Sequence, residues 1–253
     1  MKFQQMPSGV TKVTLTRTLL SATTLLTFPP LVAEASERRV FVDVGTVSAL
    51  HDRGEQIGRE VLEFGAGVEM DVQEATVYGA FYRLLPFGGE QEAFDDEADY
   101  TLGVAWEGRG YSADASVNLL TFPGEDAESS VELAGAVTLD VPLVPTLIGF
   151  YDVDIEDRGL ELSAGPEWDA GSWSLYAIGR AGFVHPGDGS AHRSYGGVEL
   201  GATRPVSNFI ELGLFARADV ADEDAFARRI ERGSVISFTT SGIAAGVSFS
   251  LTH

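Results

Sequence analysis

The chain has 253 residues with 17 Lys and Arg against 38 Asp and Glu, a net charge of −21, and no cysteine. The acidic balance argues against nucleic acid as a partner, because phosphate binding requires a basic patch. The lack of cysteine excludes disulfides, thiol catalysis and thiolate metal sites. No apolar run reaches the about 20 residues that a membrane-spanning helix needs, and the length suits one large domain or two small ones.

Residues 1–35 have the pattern of a secretory signal peptide. Three basic residues precede a largely apolar stretch, residues 18–28, and a small-residue site follows at 33–35. The apolar stretch is only about half as long as a transmembrane helix requires. We therefore predict a signal peptide cleaved after Ala35 and export from the cytoplasm of a Gram-negative cell, with residues 36–253 as the mature domain.

From residue 39 onward, apolar side chains recur at every second position in segments of about ten residues, which is the period of a strand with one apolar face. In the second segment, Leu62 and Val68 fall on one side and Glu63 and Glu69 on the other. The pattern predicts twelve strands, near 39–48, 61–72, 75–85, 97–107, 110–120, 130–140, 145–154, 159–168, 173–184, 193–203, 208–219 and 239–251.

An even number of antiparallel strands closes into an up-and-down β-barrel, but alternation alone does not say which face meets solvent. The predicted connections between strands differ in length between the two ends of the barrel. One set is short, near 73–74, 108–109, 169–172 and 204–207, and the other is mostly long, at 49–60, 86–96 and 220–238, with 155–158 as a short exception. Short turns on one side and long loops on the other are typical of outer-membrane barrels, so we predict an all-β transmembrane barrel.

The three tryptophans support a membrane location. Trp106, Trp168 and Trp173 all fall at strand ends on the short-turn side, on the apolar face. Tryptophan favours the boundary between membrane and water, where its ring is apolar and its N–H stays hydrated. We expect them to contact the membrane interface, with outer-membrane lipid and lipopolysaccharide as the surroundings of the barrel.

The last predicted strand contains Gly246, Phe249 and Leu251 in the sequence Gly-Val-Ser-Phe-Ser-Leu. This segment resembles the terminal strand signal by which outer-membrane barrels are recognised, although that signal usually ends on an aromatic residue and this chain adds Thr252 and His253. Together with the signal peptide and strand count, it makes the chain similar to small porin-type barrels of Gram-negative bacteria. The resemblance implies the outer membrane as location and the barrel assembly machinery as a partner, and it assigns no substrate.

If the apolar face meets lipid, the inward face is acidic. The predicted lumen-lining residues are Asp43, Glu63, Glu69, Asp71, Asp99, Asp114, Glu132, Asp152, Asp154, Glu161, Glu199 and Glu211, opposed by Arg180 and Arg217. Close carboxylates in a hydrated lumen retain counter-cations. We therefore predict a cation-preferring channel for passive diffusion of small hydrophilic solutes. The alternative is a non-conducting structural or receptor-like barrel, whose lumen is filled by side chains.

Two other patterns carry weaker chemical hypotheses. His192 and Ser194 form a His-x-Ser pair that is reminiscent of outer-membrane phospholipases, but the Asn-Gly that follows the serine in that family is Tyr195-Gly196 here. The acidic run 152–157 offers oxygen ligands for calcium but lacks the glycine and distal glutamate of a helix-loop-helix site. We expect no catalytic residue, no metal site and no cofactor, with a lipid hydrolase as the less favoured alternative.

Overall fold

The computed structural model describes residues 38–87, 96–123, 128–231 and 234–253, so the predicted signal peptide lies outside the described residues. No helix in these ranges is long and apolar enough to cross a membrane. The strands are, in chain order, β1 (Arg38–Asp52), β2 (Glu55–Val72), β3 (Ala75–Pro86), β4 (Glu97–Gly108), β5 (Tyr111–Phe122), β6 (Glu128–Leu139), β7 (Thr146–Asp152), β8 (Arg158–Ala164), β9 (Glu167–Ala170), β10 (Trp173–His185), β11 (Arg193–Pro205), β12 (Ile210–Ala221), β13 (Phe226–Glu231), β14 (Ser234–Thr239) and β15 (Ser241–Thr252).

The strands form a closed antiparallel barrel. Each barrel strand pairs with its neighbours in chain order, β12 pairs with β15, and β15 pairs with β1 to complete the ring. In this closing seam Phe41 lies opposite Thr252 and Val47 opposite Gly246. Because β8 and β9 act as one strand and β13 and β14 form a separate hairpin, the ring has twelve strands, and the predicted architecture is confirmed.

One barrel strand that the sequence predicts as continuous, near 159–168, is interrupted. Strand β8 ends before Gly165 and Pro166, and β9 begins after them, while both halves pair with β10. Pro166 has no backbone N–H to donate to a ladder. The N–H of Gly165 donates instead to the carbonyl oxygen of Leu143 at 2.9 Å, in the turn between β6 and β7.

Apolar side chains cover the outside of the barrel, and charged side chains point inward. Leu102 and Ile243 are 72% and 80% exposed, whereas the intervening polar positions, such as Glu63 and Glu199, are buried. A barrel folded in water has the opposite arrangement, with its apolar face inside. The two strand faces predicted from alternation are therefore the two faces of the barrel wall, and the apolar face is turned outward.

The two ends of the barrel differ. Short turns at 73–74, 109–110, 140–145, 171–172 and 206–209 define the short-turn end, and the other connections define the long-loop end. The predicted long loop 49–60 is wrong, because β1 and β2 continue into it and meet at the two-residue turn Arg53-Gly54. Both turn residues have positive φ, 44° and 78°, as a tight hairpin of this kind requires. The predicted loop 220–238 contains the hairpin β13–β14 except for its last residue, Thr239.

Candidate functional site

The barrel interior holds most of the charged residues singled out from the sequence. Ten of the predicted lumen residues are buried: Asp43, Glu63, Glu69, Asp99, Glu132, Asp152, Glu161, Arg180, Glu199 and Arg217. Asp71, Asp114 and Glu211 are half-buried. Asp154 was expected to line the lumen, and this is wrong: β7 ends at Asp152, and Asp154 is exposed in the following turn.

A first group of polar contacts lies toward the short-turn end. Arg39 donates to Glu69 at 3.0 Å and to Asp71 at 3.2 Å, and the Thr76 hydroxyl donates to Asp71 at 2.8 Å. Nearby, the Tyr78 hydroxyl donates to Asp114 at 2.8 Å. Arg39 lies on the same side of β1 as Asp43 but was not predicted as a lumen residue. The positive charge of its guanidinium offsets the negative charges of two predicted lumen residues, Glu69 and Asp71.

A second group lies around two buried guanidinium groups. Arg180 donates to Glu199 at 3.0 Å, and Glu199 also accepts from the Tyr176 hydroxyl at 3.0 Å. Arg217 donates to Asp219 at 2.6 Å. The Nδ1 atom of His51 lies 2.9 Å from the same carboxylate. The pairing compensates the buried guanidinium charges, which would otherwise be costly in a low-dielectric interior.

The β1–β2 tip, residues 52–55, crosses the mouth of the barrel at the long-loop end. The register slips between Leu50 and His51 in β1, and Glu60 in β2 has a positive φ of 51°. Bulges and left-handed residues bend a hairpin away from its sheet. Strand β7 lies across the ring from β1, with five barrel strands between them on either side. The tip nevertheless reaches the wall of β6 and β7, where Arg53 contacts Glu132 at 2.6 Å.

Contacts with β11, β12 and the following segment hold the tip in place. Arg193 donates to the carbonyl oxygen of Arg53 at 3.1 Å and pairs with Glu55 at 2.8 Å. The N–H of Gln56 donates to the carbonyl oxygen of Ala225 at 3.0 Å. Phe226 is fully buried, with its ring edge against the His51 ring, and belongs to an apolar cluster with Phe150, Val184, Tyr195 and Ala221. The long-loop mouth is therefore packed.

The interior carboxylates are shielded from solvent in this conformation. Glu132 and Glu199 are each 1% exposed, and the other buried lumen carboxylates are at most 8% exposed. The acidic interior predicted from the sequence is present, but its carboxylates lack the solvent exposure expected in an open pore. Glu63 and Asp99 make no ion pair with Arg or Lys among the described residues, so the interior retains an excess of carboxylates.

Several interior residues were missed by sequence reasoning. His51 and Arg53 fall in a segment predicted as a loop, where alternation does not indicate the direction of a side chain. Glu97 and Asp219 lie at inward-facing positions of their predicted strands and are buried, so the same period-two argument could have found both. Tyr78 and Tyr82 could not be assigned to the inward face because both faces of β3 carry aromatic residues.

The other predicted residues lie as follows. Trp106 and Trp168 are exposed and Trp173 is half-buried, all near the short-turn end, and the Arg204 guanidinium lies 5.7 Å from the Trp173 ring centroid. Their role at a membrane interface stays a prediction. Gly246, Phe249 and Leu251 lie in β15, the strand that closes the ring, with Phe249 and Leu251 on the exposed face. Their role as an assembly signal is likewise a prediction.

His192 and Ser194 are not paired as a nucleophile and base would be. The Nδ1 atom of His192 lies 2.6 Å from Nδ1 of His185. The N–H of Ser194 donates to Asp222 at 2.8 Å and, with the serine side chain, lowers the pKa of that carboxyl. A nucleophilic serine requires a base that can take its proton, and a carboxylate whose pKa is lowered is a weaker base.

The acidic run 152–157 is used in a turn. One oxygen of Asp152 accepts from the N–H groups of Asp154 and Ile155 at 2.9 and 3.1 Å, and the other accepts from the Ser130 hydroxyl at 2.6 Å. Both oxygens of Asp152 are therefore engaged by the protein. Within the described residues, no group of three or more His, Asp or Glu side chains is arranged to hold a metal ion.

The chain has no matching family model and no curated protein of similar sequence. Solved structures with a similar fold include an outer-membrane channel from Pseudomonas putida F1, at 10% identity and a TM-score of 0.48, covering 88% of this chain and 97% of that one. Outer-membrane phospholipase A from Escherichia coli is 13% identical with a TM-score of 0.44, over 85% and 97% of the two chains. OmpT, an outer-membrane protein of Vibrio cholerae, is 9% identical with a TM-score of 0.39, over 87% and 99%.

Proposed function

We propose that the protein is a transmembrane β-barrel of the bacterial outer membrane. The observation that carries this proposal is the apolar exterior, on which residues such as Leu102, Leu200 and Ile243 are more than 60% exposed. A continuous apolar belt of this kind is unfavourable in water and favourable in lipid. A folded barrel in mild detergent should migrate differently from a boiled sample on a gel, and recovery in a detergent-free soluble fraction would contradict the proposal.

Within that membrane, we propose a channel that prefers small hydrophilic cations and is closed in the described conformation. The support is the excess of interior carboxylates over guanidinium groups, since charged rings of one sign set ion preference in a pore. The β1–β2 tip is the element that would have to move, because it is the part of β1 and β2 that leaves the wall and crosses the mouth. Passage of solute then depends on withdrawal of the tip.

Planar-bilayer recording tests the channel proposal. Under a salt gradient, the reversal potential should indicate cation preference. The double variant Glu63→Gln/Asp99→Asn should shift it toward zero, because these carboxylates have no guanidinium partner among the described residues. The matched control is Glu199→Gln, whose carboxylate is already paired with Arg180 at 3.0 Å and should matter less. Equal shifts in both variants would contradict this assignment.

The second candidate is a non-conducting structural or receptor-like barrel. It is favoured by the burial of the interior carboxylates, which are shielded from solvent. A purified, folded barrel without conductance steps, both in the wild type and in a variant whose tip is displaced, would support this candidate over the channel.

A further inference from the structure

The Arg53 guanidinium occupies a position on the opposite barrel wall that has the features of an organic-cation site. One terminal nitrogen lies 2.6 Å from a carboxylate oxygen of Glu132. The guanidinium carbon lies 3.4 Å from the centroid of the Phe150 ring. A carboxylate beside an aromatic face combines a charge-assisted hydrogen bond with a cation–π interaction, and both are stronger where water is excluded.

The residues that hold the guanidinium belong to the wall and are positioned without the tip. Glu132 lies in β6 opposite Asp152, and Phe150 lies in β7 opposite Ala134, so the two are diagonal neighbours on the inward face. The other oxygen of Glu132 accepts from the Asn118 amide at 3.3 Å, and Asn118 accepts from the Thr101 hydroxyl at 2.9 Å. A chain of contacts across β4, β5 and β6 therefore orients the carboxylate.

Withdrawal of the tip would leave this site without its cation. Glu132 is 1% exposed, and Asp152 lies directly across from it on the neighbouring strand. An uncompensated carboxylate in such surroundings is costly. A cation that enters as the tip leaves would remove that cost, and a planar guanidinium fits the fork of a carboxylate and the face of a ring better than a small inorganic ion does.

We propose that Glu132 and Phe150 form a binding site for the guanidinium group of a solute, and that Arg53 is the internal competitor that fills this site in the closed conformation. This inference rests on the proposed channel function for the entry of the solute, but the site itself is testable without conduction. The solute can bind only to molecules in which Arg53 has left the site. Its apparent dissociation constant is therefore the intrinsic one divided by the fraction of protein whose site is empty.

The test uses the full chain, folded in detergent, with methylguanidinium as the probe and calorimetry as the measurement. Arg53→Ala should bind the probe at least about tenfold more tightly than the wild type. In the Arg53→Ala background, Glu132→Gln and Phe150→Leu should each abolish that gain, because they remove the carboxylate charge and the aromatic face respectively. Arg39→Ala is the matched control, since it removes an interior guanidinium that pairs only with carboxylates among its described contacts and should gain little.

Equal binding by Arg53→Ala and wild type, or undiminished binding after Phe150→Leu, would overturn the site. If Arg53→Ala fails to fold, methylguanidinium present during refolding should restore the gel-shifted barrel. It should not restore the barrel of Arg53→Ala/Glu132→Gln. Failure of the rescue in Arg53→Ala would also overturn the proposed site. Binding without conductance in any variant would retain this site and contradict the channel, whereas conductance without binding would contradict this site alone.

Discussion

The Tyr78 ring lies directly over the backbone of Gly103 on the neighbouring strand. A Cβ atom built on Gly103 would lie 2.2 Å from Cζ of Tyr78, far closer than any real contact. The ring therefore lies along the wall, from which its hydroxyl reaches Asp114 at 2.8 Å. Tyr176 has the same relationship to Gly201, with a distance of 2.1 Å, so large aromatic rings occupy the interior without crossing it.

The first prediction is that Gly103→Ala destabilises the barrel. The new methyl group would displace the Tyr78 ring and break its hydrogen bond to Asp114, at a cost of about 1–3 kcal/mol. The control is Gly65→Ala on an inward position of β2, where a Cβ would meet Tyr82 at 3.6 Å and Asp43 at 3.7 Å, which is ordinary contact. Urea titration in lipid vesicles, followed by the gel shift of the folded barrel, measures both. Equal midpoints would mean that the ring is not held against Gly103.

The second prediction concerns depth in the membrane. Leu102→Arg, in the middle of β4, should cost roughly 2–4 kcal/mol, because the charge would sit near the midplane of the bilayer. Val206→Arg lies in a short turn, where the expected cost is about 0–1 kcal/mol. Both side chains are exposed and apolar in the wild type, at 72% and 60%, so neither substitution disturbs the packed interior. Folding yield into vesicles should separate them, and equal tolerance would argue for a barrel in water.

The third prediction is that Gly54→Ala opens the long-loop mouth. Its Cβ would lie 2.3 Å from Cβ of Tyr195, an atom fixed to the backbone of β11, so the β1–β2 tip has to move. The control is Gly110→Ala, because Gly110 has nearly the same φ, 79° against 78°, and no atom within 4 Å of the new Cβ. Conductance in planar bilayers should rise for Gly54→Ala and stay at the wild-type level for Gly110→Ala. No difference between them would indicate that the tip does not gate the mouth.

The fourth prediction is that the protein does not hydrolyse phospholipids through Ser194. Its backbone N–H is bound to Asp222, and His192 is engaged with His185. Fatty-acid release from mixed micelles should be the same for wild type and Ser194→Ala. Hydrolysis by the wild type that disappears in Ser194→Ala would instead establish a serine enzyme.

The barrel could be predicted from the sequence because its strands have two different faces. Period-two alternation assigns Leu62 and Glu63 to opposite sides whatever surrounds them, and the sorted turns indicate which side meets lipid. The inward position of most of the charged lumen residues followed from the alternation alone, as did their excess over Arg180 and Arg217. Asp154 failed because alternation does not locate the end of a strand, and the turn begins two residues earlier.

The closed mouth could not be predicted, because it depends on contacts between distant parts of the chain. Arg53 and Glu132 are far apart in sequence, and the inward bend of the tip arises from a register slip and the positive φ of Glu60. Neither feature has a clear sequence signature, since Glu is an uncommon residue for positive φ. The site formed by Glu132 and Phe150 becomes visible only when β6 and β7 are placed across the ring from β1.

The seam between β1 and β15 has a consequence for the order of folding. Val47 must find Gly246, a partner near the other end of the chain, whereas each remaining strand finds its neighbour nearby in sequence. Contacts between such distant segments form slowly because the loop-closure entropy has to be overcome first. Until then, β1 presents an unpaired edge, which is a surface prone to aggregation. A chaperone that covers the hydrogen-bonding edge of Phe41 to Val47 would therefore protect the barrel at its most vulnerable stage.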